Sequence, residues 1–232
     1  GLMGIYKNQI KSKEKNKIIR IKIGDKLDYT NDPDAAEIKR PLNFQDYDES
    51  TTEGLFMAAE RADKERNYVK ALDMYLEVLE QESFHVRALC RAGELYYKRG
   101  QYSKALEFVS KALRQSMYDP EANYIYGLIS RRIENNVDAL ETLGWATRSL
   151  KFRSAAYVQM VEIYIGEKKF DLALEYARRA LDYNQYNISA MQAMVVTFRL
   201  LGNAGAAREV LDRLESIDPL NHFIRYELYL LS

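Results

Sequence analysis

The chain has 232 residues, 47% of them hydrophobic, and sets 34 basic against 34 acidic side chains. That hydrophobic share suits a globular protein. The even charge argues against a general nucleic-acid binder, which needs a basic excess, and against adsorption to an acidic membrane surface. Cys90 is the single cysteine, which excludes an intramolecular disulfide and any multi-thiolate metal site. The missing disulfide favours a reducing, cytoplasmic setting over the periplasm. No stretch is long and apolar enough to span a bilayer, so membrane insertion is not expected. No signal-peptide pattern opens the chain. It begins at Gly1, as a fragment or a processed product would, with Met3 as the alternative start.

Residues 1–17 form a basic leader, with Lys7, Lys11, Lys13, Lys15 and Lys17 against Glu14. So short a charge run reads as a solvated segment. In 18–30, Ile19, Ile21 and Ile23 alternate with Arg20 and Lys22, and Gly24-Asp25 precedes Leu27 and Tyr29. This pattern predicts a β-hairpin with glycine first in a tight type II′-like turn. An isolated hairpin is marginal in water, so this one must pack on the first helices or on a missing β-domain. Residues 31–51 read as an acidic linker with Pro33 and Pro41, which Phe44 and Tyr47 could pin to the first helical unit.

From Thr52 onward a period takes over. Ala71, Ala105, Ala139, Ala173 and Ala207 succeed one another at intervals of 34 residues. With that alanine at position 20 of each unit, position 4 holds Leu55, Leu89, Asn123, Tyr157 and Met191, and position 8 holds Ala59, Gly93, Gly127, Val161 and Val195. Position 11 holds Ala62, Tyr96, Ser130, Tyr164 and Phe198. Position 24 holds Tyr75, Val109, Leu143, Ala177 and Leu211, and position 27 holds Val78, Ala112, Ala146, Ala180 and Leu214. The spacing predicts two amphipathic helices per unit. Small residues at 8 and 20 let the two axes approach, and bulky ones at 4, 11 and 24 fill the flanks. Gly100 and Gly202 stop the first helix of their units, and Asn135-Asn136 takes the glycine's place in the third. Asp119-Pro120 and Asp218-Pro219 punctuate turns between units. After Pro219, Leu220, Phe223, Ile224, Leu228 and Leu231 share one helical face, while Tyr226, Tyr229 and Leu230 leave the other apolar. This reads either as a cap or as the first helix of a sixth unit, and its apolar surface allows self-association.

These five units, 52–85, 86–119, 120–153, 154–187 and 188–219, resemble tetratricopeptide repeats, a family recognised by its 34-residue period. The family's proline at position 32 is present only as Pro219; Ser83, Met117, Lys151 and Gln185 stand elsewhere. The resemblance implies an all-α, right-handed superhelix, here preceded by the short hairpin, with a concave groove that binds peptides or proteins. The runs YDPEANYIYGLISRR, LGWATRSL and RSAAYVQMVEIY are also similar to the repeat region of large Bacteroidetes proteins with an upstream, carbohydrate-associated β-sandwich. In that case residues 18–51 are the sandwich's tail and sugar chemistry resides upstream.

An enzyme needs converging acids, bases or nucleophiles. His85 and His222 lie at opposite ends of the array, with His85 expected to be solvated in a turn. Cys90 is expected to be a small, unreactive residue facing the groove, with Arg87 and Lys98 its only activators. Residues 202–205 lack the lysine and preceding strand of a phosphate loop. No catalytic residue, cofactor or metal ligand is therefore assigned. In the repeat family the groove is lined by positions 2, 5, 9, 12 and 13, which here include Phe56, Cys90, Val158, Ile165, Gln192, Val196 and Arg199. The resemblance places the partner-binding groove at Arg87, Glu94, Tyr97, Lys98, Tyr124, Arg131, Arg132 and Glu162. Tyrosine and arginine are frequent binding hot spots. The clamp by which some relatives grip a heat-shock chaperone's C-terminus needs lysine and asparagine at positions 5 and 9. Phe56/Glu60, Cys90/Glu94 and Tyr124/Leu128 stand there instead. The expectation is a non-catalytic scaffold for a protein or peptide.

Overall fold

The computed structural model describes residues 18–24, 27–32 and 48–232. The basic leader, Phe44 and Tyr47 lie outside the described residues. The chain divides into two compact units, residues 1–46 and 47–232.

In the first unit, β1 (Arg20–Ile23) pairs antiparallel with β2 (Leu27–Thr30), in the register Arg20 with Thr30 and Ile23 with Leu27. Three residues therefore separate the last pair, and the connection is not the two-residue turn that the sequence suggests. The backbone enters it at Gly24 with φ +54°, a region glycine adopts without penalty. Arg20 donates from Nε and Nη2 to the two carboxylate oxygens of Asp28, at 2.8 and 2.6 Å. Ile23 and Tyr29 are exposed.

The second unit is all helix: α1 (Thr52–Lys64), α2 (Tyr68–Gln81), α3 (Val86–Lys98), α4 (Tyr102–Gln115), α5 (Pro120–Arg132), α6 (Asn136–Ala146), α7 (Arg153–Gly166), α8 (Phe170–Tyr183), α9 (Ile188–Leu200), α10 (Ala204–Ile217) and α11 (His222–Leu230). Each odd-numbered helix up to α9 packs on the helix after it, and each even one on the next pair. The five recurring alanines are all 0% exposed, as are Val78, Ala112, Ala146, Ala180 and Leu214 at position 27. Small size at the closest helix contact explains this: a Cβ on Gly93 would stand 2.4 Å from Val109 Cγ2, and one on Gly127 2.6 Å from Leu143 Cγ. Where position 8 is larger, as in Val161, the facing Ala177 is smaller, and both are buried in one cluster.

The turns inside the helix pairs repeat as strictly as the core. Arg66, Gly100, Glu134, Lys168 and Gly202 all take positive φ, between 58° and 74°. In the third unit the left-handed residue is thus Glu134. Asn135 instead caps α6, its side chain accepting from Asp138 N at 3.4 Å. The asparagine pair does not replace the glycine, because asparagine's acceptor is more useful one position later, where the helix's first N–H groups need a partner. Between pairs, Thr51, Asp119 and Asn187 cap α1, α5 and α9, each accepting from a backbone N–H three residues on. Pro120 stands directly after its cap at the first helical position, where no donor is lost.

Two expectations about the end of the array and its junctions change. On α11 the buried side chains are Ile224 and Glu227, whereas Leu220 and Leu228 are exposed. Arg199 on α9 holds Glu227 by two bonds, at 2.7 and 3.3 Å, which turns a charged residue inward. His85 is not solvated. Its side chain is 12% exposed, its Nδ1 accepts from Ala88 N at 3.1 Å as the cap of α3, and its ring lies 4.8 Å from that of Phe56.

Candidate inner-face binding site

The first helices of successive pairs touch one another, α3 with α5, α5 with α7 and α7 with α9. They form the inner face of the superhelix, and the site is built from what they leave uncovered. Position 5 is mostly covered. Phe56, Cys90 and Val158 are buried, which corrects their assignment to the groove. The reason is geometric: this position meets the start of the next first helix. Phe56 lies under His85 and 4.1 Å from the Arg87 guanidinium. Val158 packs with Ala180 and Ala190. Burial pushes the Cys90 thiol well up from its ordinary value, with Asp119 and Glu121 adding to the effect, so the group stays protonated and inert.

The predicted charged residues are present on this face, but they are bonded to one another. Arg87 Nη1 and Nη2 each lie 3.3 Å from a carboxylate, of Glu53 and of Glu60. Glu94 accepts from Arg91 at 2.6 Å and pairs with Lys98 at 2.8 Å. Burial acts to raise the Glu94 carboxyl, and Lys98 and Arg91 overcome it, holding the group below the usual carboxylate range. Arg91 also approaches Glu121 at 3.6 Å, and Glu121 pairs with Lys151 at 3.3 Å. Arg131 donates from Nη1 to Glu162 Oε2. Its Nε is buried with no hydrogen-bond partner. Arg132 turns away and donates to the Tyr102 hydroxyl at 3.1 Å.

The aromatic residues sort differently. Tyr96 is buried and stacks on Phe108 with ring centres 5.2 Å apart. Tyr164 packs on Tyr176 at 5.1 Å, and burial pushes its hydroxyl up to about 12, with Tyr176 contributing. Tyr97 and Tyr124 are half-buried on the inner face. Tyr97 rests against Tyr102 at 5.8 Å and Tyr124 stacks on Phe152 at 5.2 Å. Burial raises the Tyr124 hydroxyl, with Tyr97 next in effect. Beyond them, between α7 and α9, lies a concavity of about 310 Å³ lined by Glu162, Ile165, Ser189, Gln192, Ala193 and Val196. Glu162 is the one member of this lining among the eight residues singled out from sequence. Ile165, Ser189, Gln192 and Val196 belong to the groove positions of the repeat, and only Ala193 escapes that pattern.

Two periodic signals in the sequence lie outside the groove positions and still mark contacts. Position 3 is Gly54, Ala88, Ala122, Ala156 and Ala190, all buried; from α3 onward it lies where a first helix starts on the preceding pair, and Gly54 instead lies against the Asp48 backbone. The second signal is Phe84, Tyr118, Phe152, Tyr186 and Leu220, one period apart; these residues precede the caps of α3, α5, α9 and α11, and Phe152 stands at the cap of α7. Its contacts differ between units: Phe152 stacks on Tyr124 of the inner face, whereas at the outer junction Tyr118 meets Trp145 at 4.6 Å and Arg148 lies 4.2 Å from the Trp145 ring. Among the described residues no helix is long and apolar enough to cross a membrane.

Comparisons with known proteins agree with this geometry. Residues 154–187 match the family described as tetratricopeptide repeat, and residues 52–165 match the one described as TT21 fifth ARM repeats domain. No curated protein sequence matches the chain. Among solved structures it is similar to YrrB, titled a TPR protein with an unusual peptide-binding site, at 22% identity and TM-score 0.61, covering 78% of this chain and 94% of that one. It is also similar to PilW, titled a type IV pilus biogenesis factor, at 19% identity and TM-score 0.69, covering 77% and 82%. A third is MamA from Desulfovibrio magneticus RS-1, at 18% identity and TM-score 0.64, covering 74% and 97%. At such identities the likeness is one of fold. With a period of 34 residues, paired helices crossing at small residues and these matches, the second unit is a tetratricopeptide-type helical solenoid, and its residues 154–187 match the tetratricopeptide-repeat family itself.

Proposed function

We propose that the chain is a non-catalytic scaffold that holds an extended segment of a partner protein along the inner face of its first helices. The observation that carries this reading is the concavity between α7 and α9, continuous in helix order with the half-buried Tyr124 and Tyr97. A surface that combines a shallow apolar depression with aromatic side chains fits peptide recognition better than turnover. The inert Cys90 and the dispersal of His85 and His222 support a role without catalysis. The balanced charge favours a protein partner over nucleic acid. YrrB, which shares the fold, is described as having a peptide-binding site.

Within this reading Tyr97 and Tyr124 contact the partner. Arg87, Arg131 and Glu162 tie successive first helices to one another, Glu94 and Lys98 pair along α3, and Arg132 braces α5 on Tyr102 of α4, so that together they shape the face. Site-specific photo-crosslinking tests it. A benzophenone side chain at Tyr124 or Gln192 captures a partner in cells of the source organism, and the same group at Glu141, on the outer face of α6, does not. Capture from Glu141 alone sinks the proposal.

A further inference from the structure

The ion pairs that border the α7/α9 concavity carry information about what it receives. Arg131 on α5 is closed on Glu162 of α7, and Arg199, one turn beyond Val196 on α9, is closed on Glu227 of α11. Both pairs are neutral as units. Their side chains are 27% and 44% exposed in the first pair, and 26% and 2% in the second. Between them the floor is Ile165, Ala193 and Val196, with the uncharged Ser189 and Gln192 at the rim. A ligand bringing a carboxylate or an ammonium into this depression would lose water. It would find its counter-charge already taken, and rupturing Arg131–Glu162 would strand one partner of the pair. An aliphatic side chain meets no such cost. A volume of about 310 Å³ accommodates one such side chain with the main chain around it, and Gln192 and Ser189 offer hydrogen bonds to a peptide backbone.

We propose that the concavity between α7 and α9 selects an aliphatic side chain from an uncharged, extended peptide segment, and that the flanking ion pairs exclude charged residues from it. This rests on the inner-face scaffold reading and adds the chemistry of the occupant. It inverts the expectation that arginine forms the hot spots here: Arg131 acts on selectivity through Glu162 and is not itself the anchor.

The test is titration of the isotopically labelled full chain with three blocked pentapeptides, monitored by backbone NMR. The peptides are Ser-Leu-Ser-Leu-Ser and its counterparts with aspartate or lysine in place of leucine. The leucine peptide shifts the amides of Ile165, Gln192 and Val196. The charged peptides bind there roughly tenfold more weakly or worse. The leucine affinity stays constant between about 50 and about 500 mM salt, since no charge is exchanged. Val196→Glu, at a half-exposed position, removes the leucine response while the spectrum remains that of a folded array. Val196→Thr, which keeps the shape and loses a methyl group, weakens it by a few-fold. Equal or tighter binding of the aspartate or lysine peptide at the same amides overturns the inference and leaves the inner-face reading standing. So does a steep loss of affinity with salt. No response to any of the three peptides also overturns it. Shifts confined to the outer junction around Tyr118 and Trp145 overturn both.

Discussion

Gly93 and Gly127 stand at helix crossings with no room for a Cβ, and their facing side chains show why. Val109 and Leu143 fill the volume that a larger residue at position 8 would claim. In the fourth pair the assignment is reversed, with Val161 opposite Ala177. In the second, third and fourth pairs a small residue at one position thus meets a larger one at the other, whereas the fifth accommodates both Val195 and Leu211, and neither position alone is diagnostic. Gly127→Ala should destabilise the chain by about 1–3 kcal/mol through overpacking, despite the better helix propensity of alanine. Leu143→Ala in the same molecule should recover part of that loss. Chemical denaturation of the two single variants and the double variant measures the coupling. Strict additivity would mean that the two side chains do not compete for one space. The same compensation makes single residues unreliable guides to the core, and Asn123 and Ser130 are buried at positions that elsewhere carry Leu89 and Tyr96.

At the scale of helices and turns, the period is plainly legible in the sequence. One alanine per unit phases every helix pair, because nothing larger fits where the two axes cross. Three things are not legible. The left-handed turn residue is glycine only in Gly100 and Gly202; Arg66, Glu134 and Lys168 adopt the same φ because the turn's hydrogen bonds impose it. Asn135 N bonding to Ser130 O, for instance, closes the third turn around Glu134. The burial of Phe56, Cys90 and Val158 at position 5 is hidden, since a helical wheel does not show that the next first helix begins on top of it. The ion-pair partners of the groove residues are hidden too, because Arg131 and Glu162 stand 31 residues apart. The turns carry a prediction: Glu134→Gly relieves a strained backbone and should raise stability by about 1 kcal/mol at most, net of glycine's greater chain entropy. A thermal melt showing destabilisation would mean that the Glu134 side chain has a role beyond its φ.

Over the whole second unit, stability in a repeat array is the sum of intrinsic terms and nearest-neighbour interfaces. The terminal interface is unlike the others. Glu227 is 2% exposed and depends on Arg199 for both of its bonds. Glu227→Ala leaves Arg199 partly buried without its acceptor, at a cost of about 1–3 kcal/mol. Because α11 packs on α9 and α10, the loss should appear as faster amide exchange in α11 and the adjoining end of α9, with α1 to α6 unchanged. Uniformly faster exchange would show that the array unfolds as one cooperative block.

The inner-face ion pairs have a mechanical consequence. Arg87–Glu53, Arg91–Glu121, Arg131–Glu162 and Arg199–Glu227 each tie one unit to the next across 28 to 34 residues. They lie on the side that closes when the coil tightens, whereas the apolar inter-helix contacts act through its thickness. The array is then a spring with two elements in parallel, one indifferent to salt and one softened by it. Raising ionic strength lowers its bending stiffness without melting a helix, so the curvature offered to a long partner is set by the ionic medium as well as by the fold.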